Sequence, residues 1–325
     1  MEESRLQSEI EEVLGKEFDW REIEKGLNTI YEISSDLERL ILKVHTNEKM
    51  EIERFNAEPE IYELIDQHTE VPSPEIIYSD FSEDELPAFY IMEKIEGENA
   101  AEVIEVLPAE KAEKLFYQYG KYLGELHEST SFEEHGLIFK NGKLGTEKGF
   151  NYWEDSFRDL IKENIEFVKC AWDRPPEFSI EIKNLVKYLP NAEPVILHHD
   201  NRLENLILQD DKIEGFLDWS FTRAGHSEYD LVLAEYLLID WDLSFRKIGN
   251  TEDLRKKLFQ GYAEITGFNR DDDFEIRRRI YRYSIVIWLM AGLPNWGPEN
   301  PERYRELEKD LESRLLEIEE KLSDL

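Results

Sequence analysis

The sequence predicts an α+β chain, mainly β over residues 1–97 with one important helix and mainly α beyond, and three observations lead there. Arg39-Leu-Ile-Leu-Lys-Val-His45 alternates as a strand does, with Leu40, Leu42 and Val44 on one side and Ile41, Lys43 and His45 on the other. Ala112, Leu115, Phe116, Tyr119, Leu123 and Leu126 recur at helical spacing, which predicts a core helix over Ala109 to His127. Val195-Ile-Leu197, Leu206-Ile-Leu208 and the largely apolar Ile213 to Leu217 flank polar segments as short buried strands flank turns.

Those last strands would project Asp200, Asn205 and Asp218 into one cleft. Such a set suits metal-assisted phosphoryl transfer. Asp200 would accept or orient the proton of an attacking hydroxyl, while Asn205 and Asp218 offer hard oxygen ligands to a Mg²⁺ that bridges nucleotide phosphates. An Asp and an Asn at this spacing are common in ordinary turns, because both side chains bond local backbone. The Asp218-Trp219 pair and the N-terminal segments add the weight.

His198-His199-Asp200-x-x-x-x-Asn205 with Leu217-Asp218-Trp219 resembles the catalytic and metal-binding segments of the aminoglycoside phosphotransferase family, which also takes in choline, fructosamine, homoserine and methylthioribose kinases. The resemblance implies a bilobal protein-kinase-like fold, Mg²⁺, and ATP or GTP as phosphate donor. In chain order, Glu24 to Ile33 would be the phosphate-covering hairpin, with Gly26 as its one glycine and Asn28 and Thr29 as donors to phosphate oxygens. Lys43 resembles the lysine that neutralises the nonreacting phosphates, and Ile41 would lie over the adenine; a snorkelling surface lysine would share the local pattern. Arg54 to Ile65 reads as a helix entry with Pro59 near its first turn, where a missing amide hydrogen costs little. Glu58 then partners Lys43, with Glu60 and Glu63 as competitors on the same helix. Pro87 to Gly97 suits the hinge, Met92 gating the adenine pocket and backbone groups of Glu93 and Ile95 bonding the base edge.

In the catalytic segment the resemblance makes Arg202 a transition-state clamp, since a guanidinium can hold a phosphoryl group in two directions. A surface ion pair with Glu204 or another acid is the plainer reading. His198 would bond main chain around the metal Asp, and His199 stands where the family most often has glycine. Asp230 resembles the acid that begins the next helix and ties down the catalytic loop, and an N-cap would account for its position. His127 reads as a helix-end hydrogen bonder. A zinc site of His198, His199 and His226 is disfavoured, because no Cys cluster or His-Glu-x-x-His accompanies them.

Composition sets the bounds. The 325 residues are 41% apolar and 12% aromatic, enough for a sizeable core. Against 39 basic residues stand 74 acidic ones, a net charge of 39 − 74 = −35. That balance argues against a nucleic-acid partner, whose phosphates need cationic surface. It also implies self-repulsion that salt would screen, hence a salt-adapted cytoplasm. The longest apolar run, Tyr283 to Leu293, is too short for a bilayer, the N-terminus shows no export signal, and the lone Cys170 excludes an internal disulfide, so a cytoplasmic enzyme is expected.

Three regions follow: 1–97 as nucleotide lobe and hinge, 98–250 with the catalytic segments, and 251–325 as a helical subdomain on the acceptor side. The tail from Pro301 reads as an amphipathic helix. Trp241, Trp288, Trp296 and Tyr304 could line the acceptor site, although aromatics at helical spacing are more often core. Acidic residues there would favour a cationic amine or amino sugar; an aminoglycoside, an amino alcohol, a sugar and a glycated amine all stay open. A nucleotide-binding pseudokinase acting as sensor or scaffold is the competing class, and the sequence predicts no oligomeric state.

Overall fold

The computed structural model describes residues 2–25, 28–46, 51–82, 86–241, 243, 250–298 and 300–325. Helix α1 (Glu2–Leu14) precedes an antiparallel five-stranded sheet of β1 (Asp19–Lys25), β2 (Thr29–Ser34), β3 (Arg39–Val44), β4 (Ile76–Asp80) and β5 (Phe89–Glu93), in the order β1-β2-β3-β5-β4. The alternation in β3 divides it between two cores. Leu40, Leu42 and Val44 pack with Ile33, Phe89 and Ile91 and are covered by Leu6 and Ile10 of α1. Ile41 faces the other way, into the main core with Phe55 and Tyr62 of α2 (Ile52–His68).

Pro59 is the eighth residue of α2, so it lies inside the helix and not near its first turn as expected. Proline forfeits one helical hydrogen bond at a cost of about 3 kcal/mol. Phe55, Ala57, Glu58, Pro59, Ile61 and Tyr62 are all buried, and burial at roughly 25 cal/mol per Å² over several such side chains outweighs that loss.

Beyond the sheet, Gly97 takes φ +148°, and a Cβ there would stand 2.4 Å from the Leu208 carbonyl oxygen. Only glycine lets the chain cross this closely into β6 (Glu98–Asn99), which pairs with β10 (Leu206–Gln209) in a β11-β10-β6 sheet, β11 being Lys212–Phe216. A second small sheet runs β8-β7-β12-β9, from β7 (Gly136–Asn141), β8 (Lys143–Thr146), β9 (Val195–Leu197) and β12 (Arg223–Gly225).

Around these strands lie α3 (Ala100–Val103), α4 (Ala109–Ser129), α5 (Trp153–Ala171), α6 (Ile182–Val186) and α7 (Ser227–Glu235), which continues as a π-helical stretch over Tyr236–Trp241. Then come α8 (Thr251–Thr266), α9 (Asp272–Trp296) and α10 (Pro301–Leu322). The six apolar positions that predicted α4 are all buried, and α4 packs along α8. Helix α9 packs on α5, α7 and α10, burying Tyr283, Ile285, Val286, Ile287 and Leu289; α10 turns Leu307, Leu311, Leu315 and Leu322 inward. One apolar core thus runs from the sheet into the C-terminal helices. The fold is the α+β, bilobal arrangement expected, a β-sheet lobe beside a helical one. No helix among the described residues is long and apolar enough to cross a membrane.

Candidate active site

Strand β9 ends in the loop that carries Asp200, and a buried carboxylate sets that loop's shape. Asp230, fully buried, accepts from the amides of His198 (2.9 Å) and His199 (3.1 Å) and from Nδ2 of Asn201 (2.7 Å), with His127 Nε2 at 3.4 Å. Burial alone would raise its pKa; His127 and the His198 amide reverse this and hold it below the usual carboxylate range. Asp230 is the fourth residue of α7 and His226 is the N-cap, so the capping explanation fails. The acid is there to satisfy loop amides that no strand pairs.

His198 bonds main chain on both ring nitrogens. Its Nε2 lies 3.0 Å from the Leu217 carbonyl and its Nδ1 3.3 Å from the Asp200 amide, which makes Nε2 the donor and Nδ1 the acceptor. His199 takes φ +63°, a left-handed conformation that glycine adopts without strain. Its ring stacks on Tyr229 (5.7 Å, 24°) and meets Trp288 edge-on at 5.4 Å.

Asp200 is gripped by Arg202, whose Nε donates to Oδ1 at 2.7 Å and Nη2 to Oδ2 at 2.8 Å. The structure therefore puts the Arg202 fork on Asp200, where the sequence reading aimed it at a transferred phosphoryl group. Asn205 Nδ2 donates to the Asp200 carbonyl (2.8 Å) and to Oδ2 (3.1 Å), and this leaves Asn205 Oδ1 uncommitted.

Asp218 sits at φ +58°, its amide donating to the Tyr62 hydroxyl at 3.1 Å. Its Oδ1 accepts from Lys43 Nζ (3.1 Å) and from the Ser220 hydroxyl, so Oδ2 is the free oxygen. Lys43 Nζ also reaches both oxygens of Glu58, at 2.9 and 2.8 Å, and Glu58 Oε1 accepts from the Trp219 amide at 3.2 Å. Glu60 pairs instead with Lys140, which decides the competition on α2. Burial works against both charges of the Lys43–Asp218 contact. Mutual attraction, with Glu58 on the lysine and Ser220 on the aspartate, wins and holds Lys43 protonated and Asp218 well below the carboxylate range.

On the sheet side Ile41 lies opposite Met92 across β3 and β5. The Glu93 amide is spent on the Glu75 carbonyl (2.9 Å), so only the Glu93 carbonyl stays available, and Ile95 lies against Gly215. Asn28 and Thr29 are buried, the Thr29 hydroxyl sharing a 3.0 Å hydrogen bond with that of Thr46. Gly26 lies outside the described residues. Of the four aromatics expected at an acceptor site, Trp288 meets His199 and Phe221, while Trp241 and Trp296 meet each other at 5.8 Å and Tyr304 packs at Gly297.

Sequence reasoning missed Tyr62, Ser220 and Asn201, whose Oδ1 accepts from Tyr119. Tyr62 was within reach, since it follows Glu58 by four residues and so shares its helical face. Ser220 and Asn201 carried no signal beyond adjacency to Asp218 and Asp200.

A lysine on the third strand paired with a helix glutamate, beside a loop aspartate, an asparagine and a second aspartate, is an arrangement that suits a phosphotransferase of protein-kinase-like fold. The model of the phosphotransferase enzyme family (APH) matches residues 19–269, and the chain belongs to that family. No functionally curated protein matches it in sequence. Among solved structures, a candidate fructosamine-3-kinase from Haemophilus somnus 129PT is 16% identical with a TM-score of 0.64, the match covering 96% of each chain. Aminoglycoside phosphotransferase APH(4)-Ia, as a thermostable mutant with AMP-PNP and hygromycin B, is 12% identical with a TM-score of 0.65, over 95% of this chain and 97% of that one. ADP-bound APH(2'')-Ib is 17% identical with a TM-score of 0.58, over 96% of each. These likenesses speak for the fold.

Proposed function

We propose that this protein moves the γ-phosphate of ATP or GTP to a hydroxyl of a small molecule, with Asp200 as base. One observation carries the reading: Asp218 is kept ionised by Lys43 with its Oδ2 free, while Asn205 spends its amide nitrogen on Asp200 and keeps its Oδ1 free. All-oxygen donors of this kind fit Mg²⁺. When bound by Asn205 and Asp218, Mg²⁺ would neutralise charge on the nucleotide phosphates.

The chain's own groups do the rest. Lys43, fixed by Glu58, neutralises the nonreacting phosphates, and Asn28 and Thr29 donate to phosphate oxygens. Ile41 and Met92 bound the adenine, and the Glu93 carbonyl with backbone of Ile95 reads the base edge. Arg202 keeps Asp200 aimed, so that it takes the proton of the attacking hydroxyl; an oxygen with two lone pairs can still accept beside the guanidinium. His198 and Asp230 hold the loop. The acceptor approaches past His199 and Trp288, on the side of residues 251–325.

The test is transfer of radiolabelled γ-phosphate, in molar KCl with Mg²⁺, over ATP and GTP and a panel of acceptors. Label on one acceptor class, absent with Asp200→Ala, supports the kinase. Tight Mg-nucleotide binding without transfer to any class would favour the pseudokinase.

A further inference from the structure

A guanidinium removed from water without an anion is costly, so half-buried arginines in folded chains are paired. Among the described residues every half-buried arginine has a carboxylate oxygen within 4.0 Å except two, Arg54 and Arg223. With 74 acidic residues in the chain, scarcity of carboxylates is not the reason.

The exceptions are neighbours. Arg54, early in α2, donates Nε to the Ser220 carbonyl and lies over the Phe221 ring at 4.3 Å, and its Nη2 is buried with no partner. Arg223, in β12, has its Nε buried with no partner, and its side chain makes no hydrogen bond among the described residues. Burial and then the charge of Arg223 lower the pKa of Arg54. Both arginines act on His199, whose ring burial and then Arg223 push down to about 3. Phe221 meets Trp288 at 6.3 Å, and Trp288 meets His199, so the pair stands on the acceptor side of Asp200. Of the acids that Arg54 feels, Asp218 and Glu58 are already committed to Lys43, and Glu51, the last of the three in effect, has no oxygen within ion-pair reach of it.

We propose that Arg54 and Arg223 form an anion-recognition pair, and that the acceptor carries an acidic group, a carboxylate or phosphate, besides the hydroxyl that is phosphorylated. This rests on the phosphotransferase reading and names the substrate class of that site. In the transfer the hydroxyl oxygen bonds the γ-phosphorus, the bond from that phosphorus to the diphosphate oxygen breaks with its electron pair leaving on the nucleoside diphosphate, and the hydroxyl proton passes to Asp200. The acidic group does not react; it is held by the arginines. The overall charge of −35 repels acids, so a local cationic pair is what an acidic substrate would need.

The experiment is the labelled transfer screen with sugar acids, hydroxy acids and sugar phosphates set beside neutral sugars, amino alcohols and aminoglycosides. Label on an acidic acceptor is expected, its carboxylate and phosphate forms telling which anion fits. Arg223→Gln should raise KM for that acceptor by about 10- to 100-fold, the loss of charge-assisted hydrogen bonds. KM for ATP and kcat should hold within about twofold, and Arg223→Lys should recover part of the loss. Transfer only to neutral or cationic acceptors overturns the proposal and leaves the kinase standing. A rise in KM for ATP instead assigns the arginines to the donor phosphates and also overturns it. If nothing is labelled, calorimetry with inorganic phosphate and with malonate on the Mg-AMP-PNP complex decides: binding that Arg54→Gln/Arg223→Gln abolishes keeps the anion site without the kinase, and no binding rejects it.

Discussion

At the residue scale, two aspartates near each other in the fold have different jobs because their partners differ. Asp200 is held by a guanidinium fork and an amide, Asp218 by an ammonium and a hydroxyl. Asp200→Asn should lower kcat by about 10² to 10⁴ with little change in Mg-nucleotide affinity, whereas Asp218→Ala should lose the metal-dependent part of that affinity; calorimetry beside turnover separates the two. A second outcome concerns stability. His226, buried with Nδ1 2.7 Å from the Tyr281 hydroxyl, is pushed down to about 3 by burial and then by Arg277. The unfolded chain binds this proton near pH 6.5 and the folded chain does not, so stability is complete above pH 6.5 and falls as pH drops toward 3. Relative to His226→Gln, the parent should lose about 2 kcal/mol between pH 6.5 and 5 in urea denaturation. Equal losses in both proteins would place the acid sensitivity elsewhere. Comparing the two cancels the shared titration of surface acids.

At the element scale, legibility followed periodicity. Strand β3 and helix α4 were readable because a buried face repeats every second residue in one and at helical spacing in the other. Helix α1 was not, since Leu6 and Ile10 make too thin a stripe among acids to announce a buried face. The α4–α8 crossing was invisible for another reason: it depends on missing side chains. A Cβ at Gly120 would stand 2.1 Å from the Leu258 carbonyl oxygen, and one at Gly261 would stand 2.0 Å from that of Tyr117. Backbone cannot yield as a side-chain tip can. Gly120→Ala should therefore cost about 3 kcal/mol or more by overpacking, despite alanine's better helix propensity, and guanidinium denaturation will read it. A variant as stable as the parent would mean that the two helices separate freely.

At the scale of the whole molecule, charge governs. Even with every basic residue paired to one acid, 74 − 39 = 35 of the acids would have no cation to meet. Their repulsion acts over a Debye length of about 10 Å at 0.1 M salt and about 3 Å at 1 M. The melting temperature should climb between low and molar KCl, and a flat response would remove the case for salt adaptation. Buried contacts such as Lys43–Glu58 are screened far less and should hold the site's geometry across that range.

Read alone, the sequence carried the family, the two-lobed plan and a set of polar residues that the fold brings together. Those are written locally, in strand and helix periods and in the spacing of Asp200, Asn205 and Asp218. It took the packed fold to show that Glu58 and not Glu60 meets Lys43, that Arg202 turns onto Asp200, that Asp230 serves loop amides and not a helix cap, and that Arg54 and Arg223 lie near each other with no carboxylate in ion-pair reach. Apart from Arg202 on Asp200, two residues away, these are contacts between separate segments of the chain, 15 residues for Lys43 and Glu58 and 32 for His198 and Asp230. Such distances come from how apolar faces pack, and composition cannot report them when acids are present everywhere.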